Sequence, residues 1–381
     1  MKVLLLNNVP APYFLPLFGR LGAEPDWQLT VCYTSSWNST VGWQNSVSGK
    51  DATYRVVVLD QINETLSKYV GSSLSAALML ISLIFKERPD YLICYGYTLK
   101  PQVFLLCWAV LTGASFALIG DANYFFDQAD GLRRFVKSIW LRFVAKRASA
   151  LIEIGIASRL FWEKYGATPA QLFKSHLVVD NDYFFQASNA RADEAKSLRS
   201  QYGFDGKVVF LFVGRLIQRK NVGLIIRAAR LIDLDSFGIV IAGDGEQAEE
   251  LKRLAGDESR IVFLGNVPQG DLPIFYKMAD VLVLPADQEP WGLVINEAMA
   301  CGLAIIAHQY CGASMDLVDV DNGIKLQCFS DEELAKAMKL LIRDQALLRA
   351  MQVSSRAKIQ LWSIESAAEG IIQAVMSTYR K

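Results

Sequence analysis

Short runs of β-branched and aliphatic residues recur along the whole chain, with stretches of helical periodicity between them. Each run is continuously apolar and is bounded by Gly, Asp or Pro, as in VVFLFVG at 208–214 and VLVLP at 281–285. Strands that are covered on both faces show continuous hydrophobicity, whereas half-exposed strands alternate. The pattern therefore predicts an α/β protein in which helices cover parallel sheets.

The runs predict more strands than one compact Rossmann unit holds. A polar stretch at 186–206 contains no apolar run, so we place a domain boundary there. The predicted domains are 1–188 and 189–361, both Rossmann-like and doubly wound, with a helix in 362–381 that crosses back to the first domain. Two such domains facing each other would hold a ligand in the cleft at the carboxyl ends of their strands. The predicted strands are 3–7, 29–34, 55–60, 91–96, 116–120, 150–155, 176–180, 208–214, 239–243, 261–265, 281–285 and 303–307. The predicted helices are 66–86, 99–111, 131–147, 220–232, 246–254, 271–278, 293–301, 331–350 and 364–379.

Composition excludes several classes of protein. Of 381 residues, 52% are hydrophobic and 20% charged, which excludes a disordered chain. Lys and Arg number 39 and so do Asp and Glu, so no net field attracts nucleic acid. Six Cys without a CxxC pair indicate buried thiols in a reducing compartment, hence a cytoplasmic protein. The apolar segment 69–85 is too short and too rich in Ser to span a membrane.

A loop with two basic residues follows the strand predicted at 208–214. Gly214 allows a tight turn there, and Arg215 and Lys220 follow it before the next helix begins. Cations beside the free N–H groups of a helix start suit a diphosphate. The alternative is an ordinary strand-to-helix loop with two solvated basic residues.

A second candidate site follows the strand predicted at 281–285. Glu289 lies in the loop and Glu297 on the following helix, with seven residues between them. Carboxylates beside phosphate-binding amides suit a hydroxyl-rich ligand. The alternative for Glu297 is a carboxylate on a helix face that pairs with the side chain four residues later. That residue is Cys301, which does not form an ion pair with a carboxylate. The amides at the helix start belong to Gly292, Leu293 and Val294.

Taken together, the second half resembles glycosyltransferase family 4, also called glycosyl transferases group 1, a retaining group of GT-B type. The resemblance rests on motifs in a fixed order over about 120 residues. They are GRLIQRKN at 214–221, IAGDGEQAEEL at 241–251, FLGNVPQGDLPIFYKMADVLVLP at 263–285, the E-x7-E segment from Glu289 to Glu297, EAMACGLAIIAH at 297–308 and, within 311–324, CGASMDLV followed by DNGI.

The resemblance implies roles for individual residues in binding a nucleotide sugar. Arg215 and Lys220 would hold the diphosphate, Glu289 the sugar hydroxyls and Glu297 the ribose. The turn at Gly214 and the amides of Gly292, Leu293 and Val294 would serve the phosphates. Family members often carry Gly-Phe after the first Glu, where this chain has Pro290 and Trp291, so Trp291 packs against either the sugar or the loop. The residues implied at the nucleotide end are Gly243, Asp244, Gly245, Asn266 and Val267.

The first half resembles the family only loosely. NNVPAPYFLPLFGRL at 7–21 lacks the Gly-Gly turn common in the group, and no His lies near the fourth or fifth predicted strand, where many members carry one. Asp121 stands there instead, in LIGDANYFFD. We predict that it contacts the acceptor or the sugar, including as a base, with Asn123 and Asp127 as weaker candidates. The alternative for Asp121 is a helix cap or turn residue.

The segment LRRFVKSIWLRFVAKRA at 132–148 has six basic residues, three aromatic residues and no acidic one. Such a helix can lie on an anionic membrane surface. The alternative is a Rossmann helix with solvated charges. The segment predicts peripheral contact with the inner face of the cell membrane.

Three Asp-x-Asp triplets, at 180–182, 233–235 and 319–321, could in principle bind a divalent metal. Only the first follows a predicted strand, and we interpret it as a loop in the GT-B reading. No metal site is predicted.

The resemblance implies a metal-independent hexosyl- or related glycosyltransferase without a cofactor, acting on a hydroxyl acceptor in bacterial surface polysaccharide or lipid-linked glycan synthesis. Its donor would be a nucleotide sugar, with UDP favoured over GDP or ADP. Two alternatives stay open: a GT-B nucleotide-sugar epimerase, and a non-catalytic scaffold that binds a nucleotide sugar or a glycan.

Overall fold

A computed structural model of the chain describes residues 1–35, 53–59, 72–127 and 131–379. It contains two compact domains: Met1–Val178 together with Ile364–Lys381, and Val179–Ser363. The division therefore lies after Val178 rather than after residue 188, and after Ser363 rather than after 361. The polar stretch predicted to separate the domains forms helices of the second one.

The first domain holds a seven-stranded sheet. All its neighbouring strands are parallel, in the order β3-β2-β1-β4-β5-β6-β7. The strands are β1 (Lys2–Asn7), β2 (Gln28–Tyr33), β3 (Arg55–Val58), β4 (Tyr91–Tyr95), β5 (Phe116–Ile119), β6 (Ala150–Glu153) and β7 (Leu172–Lys174). The helices are α1 (Leu15–Gly22), α2 (Ser72–Glu87), α3 (Lys100–Thr112), α4 (Gly131–Arg147) and α5 (Ile156–Lys164), with 3-10 turns at Pro12–Phe14, Tyr124–Phe126 and Pro169–Gln171.

The second domain holds a six-stranded parallel sheet in the order β10-β9-β8-β11-β12-β13. Its strands are β8 (Val208–Val213), β9 (Phe237–Ala242), β10 (Ile261–Gly265), β11 (Val281–Leu284), β12 (Ala304–His308) and β13 (Gly323–Leu326). Its helices are α6 (Asn181–Ala190), α7 (Ala192–Gln201), α8 (Gly223–Arg230), α9 (Ala248–Ala255), α10 (Leu272–Met278), α11 (Leu293–Ala300), α12 (Gly312–Leu317), α13 (Asp331–Arg343) and α14 (Gln345–Ile359). Turns of 3-10 helix lie at Gln218–Lys220 and Gln269–Asp271.

The last helix, α15 (Ile364–Thr378), belongs to the first domain, where it packs on α1 and β7. Glu365 accepts two hydrogen bonds from Arg20 at 2.7 and 2.8 Å, and Ser175 donates to a carbonyl of α15 at 2.8 Å. Gly370 allows this packing, because a Cβ there would lie 2.0 Å from the carbonyl oxygen of Lys174.

The central strands of both parallel sheets are covered on both faces. Residues of β5, β8 and β11 are all buried, which explains why these runs are continuously apolar. In each sheet the strand order reverses once, between β1 and β4 and between β8 and β11. Loops diverge at such a reversal and leave room for a ligand at the carboxyl ends of the strands. The predicted fold class, two Rossmann-like parallel-sheet domains, is confirmed.

Several predicted elements differ from the structure. Residues 176–180 are not a strand; β7 ends at Lys174, and the side chain of Asp180 accepts a hydrogen bond from the Tyr183 N–H at 2.9 Å, which caps α6. The first Asp-x-Asp triplet therefore starts a helix and is not a loop. The helix predicted at 331–350 ends at Arg343 because Asp344 caps a new helix, accepting from the Leu347 N–H at 2.9 Å.

Other differences concern short or partly described elements. The sequence reading missed β13, whose four residues are only partly apolar. Residues 66–71 of the helix predicted at 66–86, and residue 60 of the strand predicted at 55–60, lie outside the described residues. Across the described parts of the chain, no helix has the length and apolarity needed to cross a membrane.

Candidate active site

The loops that follow β8 and β9 lie against each other at the carboxyl edge of the second sheet. The N–H of Gly214 donates to the carbonyl of Ala242 at 3.0 Å, and the N–H of Leu216 donates to the carbonyl of Asp244 at 2.9 Å. Backbone contacts therefore fix the start of the predicted phosphate loop before any ligand binds.

This contact requires glycine at position 243. Its φ is +150°, and a Cβ there would come within 1.8 Å of the carbonyl oxygen of Gly214. A Cβ on Gly245 would lie 2.4 Å from the carbonyl oxygen of Leu216. Both glycines thus serve the packing of two loops, and their contact with a nucleotide stays a prediction, as does that of Asp244.

An ion pair joins the two candidate loops on either side of the strand-order reversal. The ammonium of Lys220, after β8, contacts the carboxylate of Glu289, after β11, and both side chains are largely buried. Two further hydrogen bonds hold the same loops together: the guanidinium of Arg219 donates to the carbonyl of Gln288 at 2.8 Å, and the Asp287 N–H donates to the carbonyl of Arg219 at 3.0 Å. The structure thus brings Lys220 and Glu289 together, as the sequence predicts.

The start of α11 lies directly after Glu289. Gly292 precedes the helix with φ of +98°, a left-handed conformation that favours glycine. The first N–H groups of a helix have no acceptor within it, so Gly292, Leu293 and Val294 present amides that suit an anion. Arg215 is exposed on the loop after β8.

Trp291 is a structural residue of this loop. Its side chain is 4% exposed, and its indole N–H donates to the side-chain oxygen of Asn296 at 3.0 Å. Its carbonyl accepts from the Ala313 N–H at 2.8 Å and from the Cys311 thiol at 2.9 Å. Of the two alternatives for Trp291, the structure shows packing within the domain, while contact with the sugar stays a prediction.

Glu297 lies on α11 and is buried. It accepts a hydrogen bond from the hydroxyl of Tyr276 on α10. Burial raises the pKa of Glu297 to about 7, and the bond from Tyr276 opposes that rise. Sequence reasoning missed Tyr276, because nothing local marks a tyrosine of α10 as the partner of a carboxyl group on α11. A role of Glu297 in ribose binding stays a prediction.

Asn266 and Val267 follow β10 and line a cavity of about 700 Å³. The cavity lies beside α7 and α10, and the aromatic rings of Tyr202 and Phe275 contribute to its wall. The structure therefore places this predicted pair at a concave surface, while their contact with a nucleotide stays a prediction.

Asp121 lines a cavity of about 470 Å³ at the carboxyl edge of the first sheet. It follows β5, while Asn7 is the last residue of β1, Asn8 follows that strand, and Tyr13 lies in the 3-10 turn Pro12–Phe14. The structure thus places Asp121 in a concave site. Sequence reasoning did not single out Asn7, Asn8 and Tyr13, although they lie in the segment at 7–21.

The weaker candidates beside Asp121 have structural roles. The side chain of Asn123 accepts from the Phe125 N–H at 2.9 Å and caps a 3-10 turn. Asp127 accepts hydrogen bonds from Lys137 and Lys164 at 2.6 Å each, and from the Tyr165 hydroxyl at 2.7 Å. Burial raises the pKa of Asp127, but these bonds prevail and lower it to about 2. Asp127 is therefore a fixed anion of the domain interior.

Helix α4 exposes apolar side chains on its outer side. Its buried residues Leu141, Val144 and Ala145 face the core. The exposed apolar residues recur with helical spacing on the opposite side and form one stripe, the outer stripe of α4. The outer stripe consists of Leu132, Phe135, Val136, Ile139 and Phe143. Exposed basic residues accompany it: Arg133, Arg134, Arg142, Lys146 and Arg147.

The chain has two Rossmann-like domains with parallel sheets, and the strand order reverses once in each sheet. This is the architecture of the GT-B fold of glycosyltransferases. The crystal structure of Anabaena Alr3699/HepE in complex with UDP and glucose shares this fold. The two sequences are 19% identical. The structural match covers 99% of this chain and 100% of the Anabaena chain, with a TM-score of 0.73.

Residues 194–358, within the second domain, match the family model of glycosyl transferases group 1. The chain is 29% identical over 218 residues to alpha-D-kanosaminyltransferase of Streptomyces kanamyceticus, and this match covers 55% of each protein. It is 30% identical over 190 residues to the GDP-mannose-dependent alpha-(1-6)-phosphatidylinositol monomannoside mannosyltransferase of Mycolicibacterium smegmatis, covering 47% of this chain and 49% of that protein. The chain thus spans about half the length of these relatives. The predicted resemblance to glycosyl transferases group 1 is confirmed for residues 194–358, while family 4 and retention stay predictions.

Proposed function

We propose that the protein transfers a sugar from a nucleotide diphosphate sugar to a hydroxyl acceptor. The observation that carries this proposal is the buried ion pair of Lys220 and Glu289, which lies beside the amides at the start of α11. A cation and helix amides stabilise a diphosphate, and a carboxylate next to them accepts hydrogen bonds from sugar hydroxyls.

In this proposal each side chain contacts one part of the donor. Lys220 and Arg215 hold the diphosphate together with the amides of Gly292 and Leu293. Glu289 accepts from hydroxyls of the transferred sugar, and Glu297 accepts from the ribose. The nucleoside lies toward Asn266 and Val267, whose cavity of about 700 Å³ supports that position.

The proposed transfer is retaining and needs no metal. The bond between the anomeric carbon and the β-phosphate oxygen breaks, and the acceptor oxygen forms its bond on the same face of the sugar. The acceptor proton passes to an oxygen of the departing diphosphate, so the nucleoside diphosphate and the glycoside are the only products. Arg215, Lys220 and the start of α11 stabilise the negative charge that develops on the leaving group.

We propose UDP as the nucleotide of the donor. The Anabaena protein of the same fold is in complex with UDP and glucose, whereas the mycolicibacterial relative is GDP-mannose-dependent. A thermal-shift screen with UDP, GDP, ADP and their sugar conjugates, with and without Mg²⁺, separates these bases, because a ligand of the folded state raises the melting temperature. A rise with UDP that persists without Mg²⁺ and is absent in Lys220→Ala supports the proposal. No rise with any nucleotide contradicts it.

Retention can be tested before the acceptor is known if water slowly attacks the donor sugar in place of the acceptor. Proton NMR of UDP-glucose hydrolysis then shows which anomer of glucose forms first. The α anomer supports retention and the β anomer excludes it. A new epimer of the donor would instead indicate an epimerase, and binding without donor consumption would indicate the scaffold.

We further propose that α4 contacts the inner face of the cell membrane while the first domain binds a glycan or lipid-linked acceptor, in surface polysaccharide or lipid-linked glycan synthesis. The support is the outer stripe of α4, in which Leu132 is 76% exposed. Apolar side chains flanked by basic ones insert between the headgroups of anionic lipids, with the charges at the phosphates.

Vesicle sedimentation tests this contact. The intact protein is expected to sediment with vesicles of phosphatidylglycerol and phosphatidylcholine and much less with pure phosphatidylcholine. The variant Phe135→Ser/Ile139→Ser removes two residues of the outer stripe and should lose most of this binding. Val353→Ser is the matched control, because Val353 is 71% exposed on α14 of the second domain. Equal sedimentation of both variants and the wild type would refute the membrane contact.

A further inference from the structure

The loop that carries Glu289 is held by the three residues at the start of α12. The Gly312 N–H donates to the carbonyl of Glu289 at 3.2 Å, and the Ala313 N–H donates to the carbonyl of Trp291 at 2.8 Å. The thiol of Cys311 donates to the same Trp291 carbonyl at 2.9 Å. Two donors from one segment therefore meet on a single carbonyl oxygen of the candidate site.

The two segments are in close contact through their backbones. A Cβ on Gly312 would lie 2.1 Å from the carbonyl oxygen of Pro290. A Cβ on Gly292 would lie 3.1 Å from the Sγ of Cys311 and 3.2 Å from the Cγ of Glu289. The thiol and the side chain of Glu289 are therefore both immediate neighbours of Gly292, the residue that precedes α11.

Cys311 is in the right protonation state to act as a donor. Its side chain is fully buried. Burial raises the pKa of its thiol to about 12, and the charge of Glu289 acts in the same direction. The thiol therefore keeps its proton at neutral pH and can donate it to a carbonyl.

The Trp291 carbonyl and the Gly292 N–H belong to the same peptide unit. This unit is planar and trans, so its C=O and N–H bonds point in opposite directions. A donor that fixes the direction of the carbonyl therefore also fixes the direction of the N–H. Hydrogen bonds to the carbonyl also polarise the peptide, which makes its N–H a stronger donor.

We infer that Cys311 is a positioning residue of the donor site, whose thiol holds the Trp291–Gly292 peptide so that the Gly292 N–H faces the diphosphate. The inference rests on the proposed function, in which this amide contacts the diphosphate. Cys311 acts through the peptide and does not itself contact the donor. Its loss should therefore weaken the contact with the phosphates and leave the contacts with the nucleoside unchanged.

A single NMR signal reports on this peptide, because Trp291–Gly292 is the only Trp-Gly pair in the sequence. Full-length protein labelled with carbonyl-¹³C tryptophan and ¹⁵N glycine gives one signal in an HNCO spectrum. Loss of a hydrogen bond to a carbonyl shifts its ¹³C resonance upfield, so Cys311→Ala should move this signal in the ligand-free protein. Cys311→Ser keeps a hydroxyl donor at this place and should restore most of the wild-type position.

Binding of UDP and of uridine by the same variants separates positioning from general damage. In calorimetric titrations, Cys311→Ala should bind UDP about threefold to tenfold more weakly than the wild type, because one hydrogen bond that orients the amide is lost. Uridine has no phosphate, so its affinity, measured by ligand-observed NMR, should stay within about twofold. Cys311→Ser should recover most of the affinity for UDP.

The matched control is Cys94→Ala in the first domain. Cys94 is also fully buried, and its thiol donates to the carbonyl of Gly96 at 3.2 Å. This variant should leave both the Gly292 signal and the affinity for UDP unchanged.

Three results would overturn the inference alone while the wild type binds UDP. They are a Gly292 signal that does not move in Cys311→Ala, an affinity of Cys311→Ala for UDP equal to that of the wild type, and an equal loss of affinity for UDP and uridine. A wild type that binds no UDP would instead refute the proposed function, and this inference with it.

Discussion

The two domains share one architecture but differ in the chemistry at their carboxyl edges. In the second domain a cation and an anion, Lys220 and Glu289, meet in a buried contact between loops that backbone hydrogen bonds fix together. In the first domain an amide, a phenol and the carboxylate of Asp121 surround a cavity. The difference agrees with the proposed roles, in which the second domain holds the diphosphate of the donor and the first domain binds the acceptor.

The largest expected effect concerns the ion pair of the second domain. Lys220→Ala and Glu289→Ala should each lower donor consumption by about 100-fold or more, because each removes a group that contacts the diphosphate or the transferred sugar. UDP-glucose consumption by purified, folded variants measures this. Lys336→Ala, on the exposed side of α13, is the control that should keep wild-type activity. Wild-type rates in either site variant would remove the basis for placing the donor in the second domain.

The next effect tests whether the loops of the second domain depend on close backbone contact. Gly243→Ala should reduce the free energy of unfolding by about 2–4 kcal/mol, because its Cβ would overlap the carbonyl of Gly214. Gly113→Ala also has a positive φ, +74°, in the left-handed α region, and its Cβ meets nothing within 4 Å, so it should cost only about 1–2 kcal/mol. Calorimetric unfolding measures both. Equal costs would show that backbone conformation alone explains the glycine at 243.

A smaller effect concerns the pH dependence of donor binding, which we expect to arise in the second domain. If the Glu297 carboxylate accepts from the ribose, affinity for UDP-glucose should rise as pH increases through about 7, the pKa of this buried group. Tyr276→Phe removes a bond that lowers this pKa, so the midpoint should move to higher pH. Calorimetric titrations between pH 5.5 and 9 measure it, with Tyr183→Phe as control. An unchanged midpoint in Tyr276→Phe would assign the pH dependence to another group.

The smallest effect concerns Trp291. Trp291→Phe removes the hydrogen bond to Asn296 and should lower the free energy of unfolding by about 1 kcal/mol. Because the ring is buried, affinity for UDP-glucose should change by less than about twofold. Urea unfolding and the same titration separate the two properties. A large loss of affinity at unchanged stability would instead favour contact between Trp291 and the sugar.

The second domain could be predicted from its sequence more fully than the first. Its candidate site residues lie mainly in two short segments, around Lys220 and around Glu289, each of which follows a strongly apolar strand. The cavity of the first domain is lined by Asn7 at the end of β1, Tyr13 in the 3-10 turn that follows and Asp121 after β5, so no single local motif predicts it. Asp121 could be nominated because it directly follows a predicted strand, whereas the position of Asn7 and Tyr13 beside the same cavity is visible only in three dimensions.

Strands and helices could be predicted wherever apolar residues form a continuous pattern. The prediction is wrong where a capping side chain or contact between helices determines where a helix forms or ends. Asp344 divides one apolar helical pattern into α13 and α14 because its side chain caps the second helix. The polar stretch at 186–206 forms helices because α6 and α7 pack their few apolar residues on α10. Neither interaction leaves a hydrophobic pattern long enough to detect.

The most direct test of this division of roles is a calorimetric titration of UDP into three full-length proteins. Wild type and Asp121→Asn should bind UDP with the same affinity within about twofold, because Asp121 lies in the first domain. Lys220→Ala should bind at least about tenfold more weakly, because a charge-assisted bond to the diphosphate is lost. Weaker binding by Asp121→Asn to the same extent, or unchanged binding by Lys220→Ala, would contradict the assignment of the donor to the second domain.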